Sequence, residues 1–248
     1  MDYIYMARQR LGKRQVRGCI SSLVVIALIV GGLGFVISRA HNGVAISVGA
    51  HPSVVVHDCN QPIIVRVGQA NQVVLSGIFP QYGQDTTTNT IELGDCGSVG
   101  GFSGVTLIVP PHTNLQLDTN DSITVFDVSG QMKLSANGSR ITLVNVALEG
   151  QSKIDDNGGV ITLMGSLAQD STSTISGNSG AIDMTLPASA AFHLKASGNV
   201  GSIVSNFTEV QEATDSTNGL QVDVGHANSG ITLNLDLNDT ALILQKGI

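Results

Sequence analysis

The pattern of apolar and polar positions is dominated by a phrase that recurs every 20 or 21 residues. The phrase reads NGSRITL, NGGVITL, NSGAIDM and NVGSIVS, and its corner asparagines are Asn137, Asn157, Asn178 and Asn199. An isoleucine follows each asparagine by four places, and a second apolar series runs in phase with it. These two core ladders are Ile141, Ile161, Ile182 and Ile203, and Leu134, Ile154, Ile175 and Leu194. Two apolar ladders that share one period predict stacked repeats rather than a single globular core.

Within a repeat, the I-x-L pairs predict short strands. Ile141 and Leu143 point to one side, and the intervening Thr142 points to the other. Asparagine suits the corners because it tolerates the left-handed backbone, and stacked side-chain amides can bond along a ladder. We therefore predict an all-β fold for residues 105–248: a single-stranded parallel β-helix-like solenoid with coils of 20–21 residues.

The segments on either side of the repeats follow the pattern less strictly. Residues 44–93 alternate with period two and predict five short strands, with a polar loop at residues 81–89. We take residues 41–104 as an N-terminal β-strand region continuous with the solenoid. Residues 212–225 are polar and predict a bulge, and the stretch from Asn228 resembles a terminal coil. No amphipathic helix is predicted after residue 40.

The N-terminus predicts a membrane anchor. Residues 1–18 form a short basic tail, and residues 19–38 are uncharged and mostly apolar, which is long enough to cross a bilayer as a helix. Five basic residues precede this segment and Arg39 alone follows it, so the N-terminus is expected in the cytoplasm. The alternative is a cleaved signal peptide, since Ser38-Arg39-Ala40 fits a small-x-small cut, although the apolar run is longer than such peptides need. We expect a single-pass protein of the cell membrane, with residues 41–248 extracytoplasmic.

Charge and cysteine content narrow the classes of partner. The first 40 residues carry six basic residues and one acidic residue, whereas the remainder carries six basic and 18 acidic residues. An acidic exterior with few lysines and arginines disfavours binding to nucleic acid. Cys59 and Cys96 are the two cysteines outside the predicted anchor, and in an oxidising compartment they form a possible disulfide.

The repeats resemble a known family. The segments that carry the resemblance are VTLIVPPHTNLQLDT, SGQMKL, the N-[GS]-x-I phrase, and GAIDMTLPASAAFHLKAS, with ISVGAHPSVVV as the entry strands. They are similar to the bacterial family named putative adhesins, which are β-strand-repeat domains of otherwise unknown function, often behind one N-terminal membrane helix. The resemblance covers nearly all of residues 44–248 and implies a β-helix-like solenoid on the cell exterior. It supplies no catalytic residues, and the Cys59/Cys96 pair departs from it.

The candidate chemistry is sparse. Lys133 and Lys153 are one repeat apart, and Asp155 and Asp118 lie near them, so a strip of carboxylates and lysines is conceivable, but a solvated face with weak ion pairs accounts for it. The segment from Asp155 to Gly159 has oxygen ligands and glycines without the spacing of a known calcium loop. The histidines show no metal-binding spacing. We predict no catalytic residues, no metal and no cofactor. Tyr82 is the one exterior tyrosine and the one candidate platform for stacking on a carbohydrate.

These observations favour a non-catalytic role. We expect a membrane-anchored, cell-surface β-solenoid with an adhesive or structural role, whose partner is an unknown surface protein or glycan. The alternative is the extracytoplasmic component of an envelope-stress or regulatory system that acts through a partner protein. A third possibility is a polysaccharide-active β-helix enzyme, because parallel β-helices host such sites.

Overall fold

The structure is a computed structural model, and it describes residues 43–77, 82–94, 104–213, 219–225 and 230–247. The side chains of residues 58 and 200 are excepted. The predicted basic tail and membrane helix, residues 1–18 and 19–38, lie outside the described residues. Within the described ranges, no helix has the length and apolar character needed to cross a membrane.

The described chain is all-β apart from one short helix. The first nine strands are β1 (Val44–Ser47), β2 (Ser53–Cys59), β3 (Ile63–Val67), β4 (Gln72–Ser76), β5 (Tyr82–Asp85), β6 (Thr90–Leu93), β7 (Val105–Val109), β8 (Asn114–Thr119) and β9 (Ile123–Phe126). The next seven are β10 (Ser129–Gly130), β11 (Met132–Asn137), β12 (Arg140–Leu148), β13 (Gln151–Asn157), β14 (Val160–Leu167), β15 (Thr172–Asn178) and β16 (Ala181–Leu186). The last elements are β17 (Phe192–Ser205), α1 (Thr208–Ala213), β18 (Leu220–Val224) and β19 (Thr232–Lys246).

The strands pair in two stacks that belong to one large mixed sheet. The first stack has the order β5, β6, β2, β8, β11, β13, β15, β19, β17, β18. The second stack has the order β1, β4, β7, β3, β9, β12, β14, β16, β19, β17. Pairing is parallel in the middle of both stacks, and it is antiparallel only in the outer pairs β5–β6, β1–β4, β4–β7 and β17–β18.

The core lies between the inward side chains of these strands. Alternate residues of β11 and β12 are buried, which is the period-two pattern of a sheet with one face in the core. Leu143, Ile154, Ile175 and Ile182 are fully buried within this core. Burying such aliphatic side chains contributes about 1.5–3 kcal/mol each, so the alternation supplies much of the driving force for folding.

The first three repeats stack in chain order. Ile141 pairs with Ile161, and Ile161 pairs with Ile182. In the other ladder, Leu134 pairs with Ile154, and Ile154 pairs with Ile175. Each step of the register thus corresponds to 20 or 21 residues of chain.

The fourth repeat does not follow the third. Strand β19 lies between them, so Leu242 separates Ile182 from Ile203, and Leu235 takes the place beside Ile175 that the spacing assigned to Leu194. Leu194 pairs with Leu233 instead. The sequence-based order of the ladders was wrong at this point because β19 has the same alternating leucines as the repeats. Five leucines of β19 are buried, namely Leu233, Leu235, Leu237, Leu242 and Leu244.

The N-terminal end shows a similar exchange of order. Strands β2 and β3 lie between β6 and β8 and between β7 and β9, respectively, although β6 and β7 come later than β2 and β3 in the chain. The polar segment 81–89 was predicted as a loop. Instead, Tyr82–Asp85 forms β5, which is antiparallel to β6, and Asp85 accepts hydrogen bonds from Thr87 and Thr88 in the turn.

The segment predicted as a polar bulge also contains regular structure. Leu220–Val224 forms β18, which pairs antiparallel with the start of β17. The six-residue helix α1 precedes it and buries Val210. The prediction missed both elements because each is short, so few apolar positions mark it: Val210 in the helix, and Leu220 and Val224 in the strand.

Candidate binding groove

The outer face of the first stack carries a row in which aspartate and serine alternate. In stacking order this carboxylate row is Asp118, Ser135, Asp155, Ser176, Asp236 and Ser197. Neighbouring strands are about 4.8 Å apart, so an aspartate recurs about every 10 Å along the stack. The serines between them keep like charges from facing each other directly, which would be destabilising.

A row of asparagines runs beside the carboxylate row. The Asn157 side-chain amide donates to Oδ1 of Asn137 (3.3 Å), Asn178 donates to Asn157 (2.7 Å), and Asn238 donates to Asn178 (2.8 Å). Asn199, the fourth corner asparagine of the sequence pattern, pairs with Asn238 in the register and is exposed. The structure therefore brings the four predicted corner asparagines together with Asn238 inserted between the third and the fourth.

The backbone at these corners differs from the prediction in one respect. The left-handed residue is the one after the asparagine: Gly138 (φ 74°), Gly158 (φ 95°), Ser179 (φ 60°) or Asp239 (φ 54°). The asparagines themselves end their strands and hold the corners through their side-chain amides. Gly138 and Gly158 thus take the conformation that glycine adopts without steric cost.

A groove of about 620 Å³ follows these two rows. Its lining is polar, with carboxylate, hydroxyl and amide groups from six strand ends. The lining residues are Asp118, Asn120, Ser135, Ala136, Asn137, Asp155, Asp156, Asn157, Ser176, Gly177, Asn178, Asp236 and Asn238. Groups of this kind bind hydroxyls and cationic groups through hydrogen bonds and charge.

Asp156 is a buried carboxyl among the residues that line the groove. It is 4% exposed and belongs to the inward-facing set of β13, between Ala136 and Gly177 on the adjacent strands. Burial raises its pKa above the usual value, and the nearby N–H groups of Ser139 and Gly138 lower the pKa by less. Neither carboxylate oxygen has a hydrogen-bond partner among the described residues.

The predicted strip of lysines and carboxylates is present on the same outer face. Lys133 pairs with Lys153 in the register, and the Lys153 ammonium lies 2.5 Å from Oδ2 of Asp155. Both side chains are substantially exposed, so this ion pair contributes little to stability. It also satisfies the one lysine that approaches the carboxylate row, which leaves no arrangement of base and acid around a reacting atom.

The candidate calcium segment is divided by the strand. Asp155 points outward and Asp156 inward, because successive side chains of β13 alternate between faces. Among the described residues, no group of three or more histidines, cysteines, aspartates and glutamates is arranged to hold a metal ion. The His51 and His112 rings lie 5.4 Å apart, and His193 contacts Asp223 across β17 and β18.

The remaining candidates lie away from the groove. Cys59 is fully buried and disulfide-bonded. Cys96 lies outside the described residues, so the pairing of Cys59 with Cys96 stays a prediction. Tyr82 is 49% exposed on β5, at the edge of the first stack.

The carboxylate row was missed by the sequence analysis although a signal for it exists. The residue two places before each asparagine of the row is aspartate or serine, as in the triplets Asp118-Thr119-Asn120 and Ser176-Gly177-Asn178. A [DS]-x-N pattern at the repeat period would have predicted a polar row on the outer face. The pattern does not reveal that aspartate and serine alternate in space, because Asp236 enters the row from the last strand.

Comparisons with known proteins were made over the whole chain. No family model matches the chain, and no curated protein matches it. A solved structure of a putative cell adhesion protein from Clostridium sporogenes is similar, with 13% sequence identity and a TM-score of 0.44. The match covers 83% of this chain and 99% of that one.

Proposed function

We propose that this protein is a membrane-anchored cell-surface β-solenoid with a non-catalytic adhesive role. In this proposal the two strand stacks are the sides of a β-helix-like solenoid with coils of 20–21 residues, and residues 19–38 anchor it. Residues 41–248 lie outside the cell. The resemblance to the bacterial putative adhesins supports the same assignment.

The groove along the carboxylate row is the observation on which the proposal rests. Its polar groups belong to β-strands whose amides are already ordered by the asparagine row, so little side-chain freedom remains to be lost on binding. Aspartates about 10 Å apart favour an extended ligand that contacts several of them rather than a small molecule. We infer that the ligand is a surface glycan or protein segment that offers hydroxyl and cationic groups.

The test is a binding screen with the purified full chain against immobilised glycans and surface proteins. Asp236→Asn removes one groove carboxylate and is expected to weaken capture about tenfold or more if a cationic group pairs with it. Asp239→Asn is the matched control, because Asp239 is an exposed aspartate of the same strand outside the groove. Equal binding by both variants and the parent chain would remove the groove from the proposal.

The enzymatic alternative is tested with the same preparation. A non-catalytic adhesin leaves bound glycans intact, so prolonged incubation should release no shortened products. Release of products that depends on Asp118, Asp155 or Asp236 would instead assign a polysaccharide-cleaving activity to the groove.

A further inference from the structure

The outer face of the second stack has a composition unlike that of the groove. Two adjacent rows run along it, two residues apart on each strand. The first, the bulky row, is Arg66, Phe126, Val144, Met164 and Thr185. The second, the threonine row, is Ile64, Thr124, Thr142, Thr162 and Asp183.

These two rows form an apolar stripe that is accessible to solvent. Met164 is 48% exposed, and Phe126 and Val144 are half-buried. Charge is present only at the two ends, as Arg66 in the bulky row and Asp183 in the threonine row. Contiguous exposed apolar surface of this kind marks sites of protein association.

The order of residues in the two rows is self-complementary. Val144 and Thr142 belong to β12, which lies two strands from Arg66 on β3 and two strands from Asp183 on β16. A twofold axis that passes between Thr142 and Val144 therefore brings the bulky row of one copy onto the threonine row of the other. Under this operation Val144 faces the partner's Thr142.

The same operation matches the remaining positions. Phe126 faces the partner's Thr162, and Met164 faces the partner's Thr124, so each large side chain lies over a smaller one. Arg66 faces the partner's Asp183, and this ion pair occurs twice because the interface is isologous. Size and charge thus agree with one symmetric arrangement along the whole stripe.

We propose that the apolar stripe is a homodimer interface whose occupant is a second copy of this chain. The proposal is independent of the groove, which belongs to the first stack. A dimer would present two grooves to one extended ligand, and two linked sites raise the overall affinity beyond that of one site.

The test is sedimentation velocity of the purified full chain, in detergent where needed, over a range of concentrations. The parent chain is expected to dimerise. Val144→Lys brings two ammonium groups together near the axis and is expected to raise the dimer dissociation constant about tenfold or more. Thr174→Lys is the control, because Thr174 faces outward on β15 of the first stack and should leave dimerisation unchanged.

A charge exchange tests the register. Arg66→Asp and Asp183→Arg are each expected to weaken the dimer, because each places like charges opposite one another, and the double variant is expected to restore it. The Arg66 guanidinium also lies 5.2 Å from the Phe126 ring centre in its own chain, so thermal unfolding of each variant checks the monomer fold.

Three results would overturn the proposal. The first is a chain that stays monomeric at all concentrations. The second is dimerisation that Val144→Lys leaves unchanged, and the third is a charge exchange that fails to restore association. A monomer whose Met164 resists oxidation until residues 1–42 are removed would assign the stripe to that segment instead.

Discussion

At the scale of single residues, Asp156 is the least favourable group in the core. Its neighbours in the register, Ala136 and Gly177, are small, and the carboxyl fits the space between them. A buried carboxylate without partners loses hydration that the protein does not replace. The raised pKa of Asp156 has this cause, because burial disfavours the charged form.

Asp156→Asn should therefore stabilise the protein at neutral pH, by about 1–3 kcal/mol. The folded-state pKa lies above the unfolded value, so the destabilisation by Asp156 is complete above the folded pKa. It disappears as the pH falls below about 3.9, where the carboxyl is protonated in both states. Chemical denaturation of both chains across this pH range measures the effect. A stability difference that does not change with pH would contradict it.

At the scale of elements, β19 organises the C-terminal half of both stacks. It pairs with β15 and β16 on one side and with β17 on the other. Thr240 fixes its bend by donating a 2.8 Å hydrogen bond to the Gly177 carbonyl. A Cβ at Gly177 would lie 2.9 Å from the Thr240 methyl carbon, so glycine is needed where the last strand inserts.

The position of β19 predicts unequal effects for two aliphatic truncations. Leu242→Ala should cost about 2–5 kcal/mol in free energy of unfolding, because Leu242 is fully buried between Ile182 and Ile203. Ile203→Ala should cost less, since Ile203 is only half-buried on β17. Urea unfolding of both variants measures the difference. The reverse order would mean that β17, rather than β19, directly follows the third repeat.

At the scale of the whole molecule, the two stacks share one core but present different outer faces. The first stack carries the carboxylate and asparagine rows, and the second carries the apolar stripe. This division separates the proposed ligand surface from the proposed dimer surface. Both can therefore operate in one assembly on the cell exterior.

The proposed topology predicts the outcome of proteolysis on intact cells. Protease added outside should cleave the chain after residue 40 and leave the short N-terminal tail inside. Cleavage sites are scarce in packed strands, so the exposed turn at residues 86–89 and the segment 212–219 are included in the expected sites. An epitope at each terminus, followed by immunoblotting, measures the result. Full protection of the C-terminal epitope would refute the extracytoplasmic assignment.

The sequence alone determined the all-β class and the inward positions of the repeats. Ile141, Ile161 and Ile182 recur at the period of one turn, and alternation along each strand fixes which side chains enter the core. These properties are local or periodic, so they can be read from spacing. The same spacing identified Asn137, Asn157 and Asn178, whose side chains bond along the stack.

Only the tertiary structure decided the order of strands at the two ends. Strand β19 has leucines in the same alternation as the repeats, so its pattern fits any place in the stack. Its insertion between the third and fourth repeats depends on contacts such as that of Thr240 with Gly177, which are 63 residues apart in the chain. The alternation of aspartate and serine in the groove, and the matching of the bulky row to the threonine row, follow from that packing and not from local sequence.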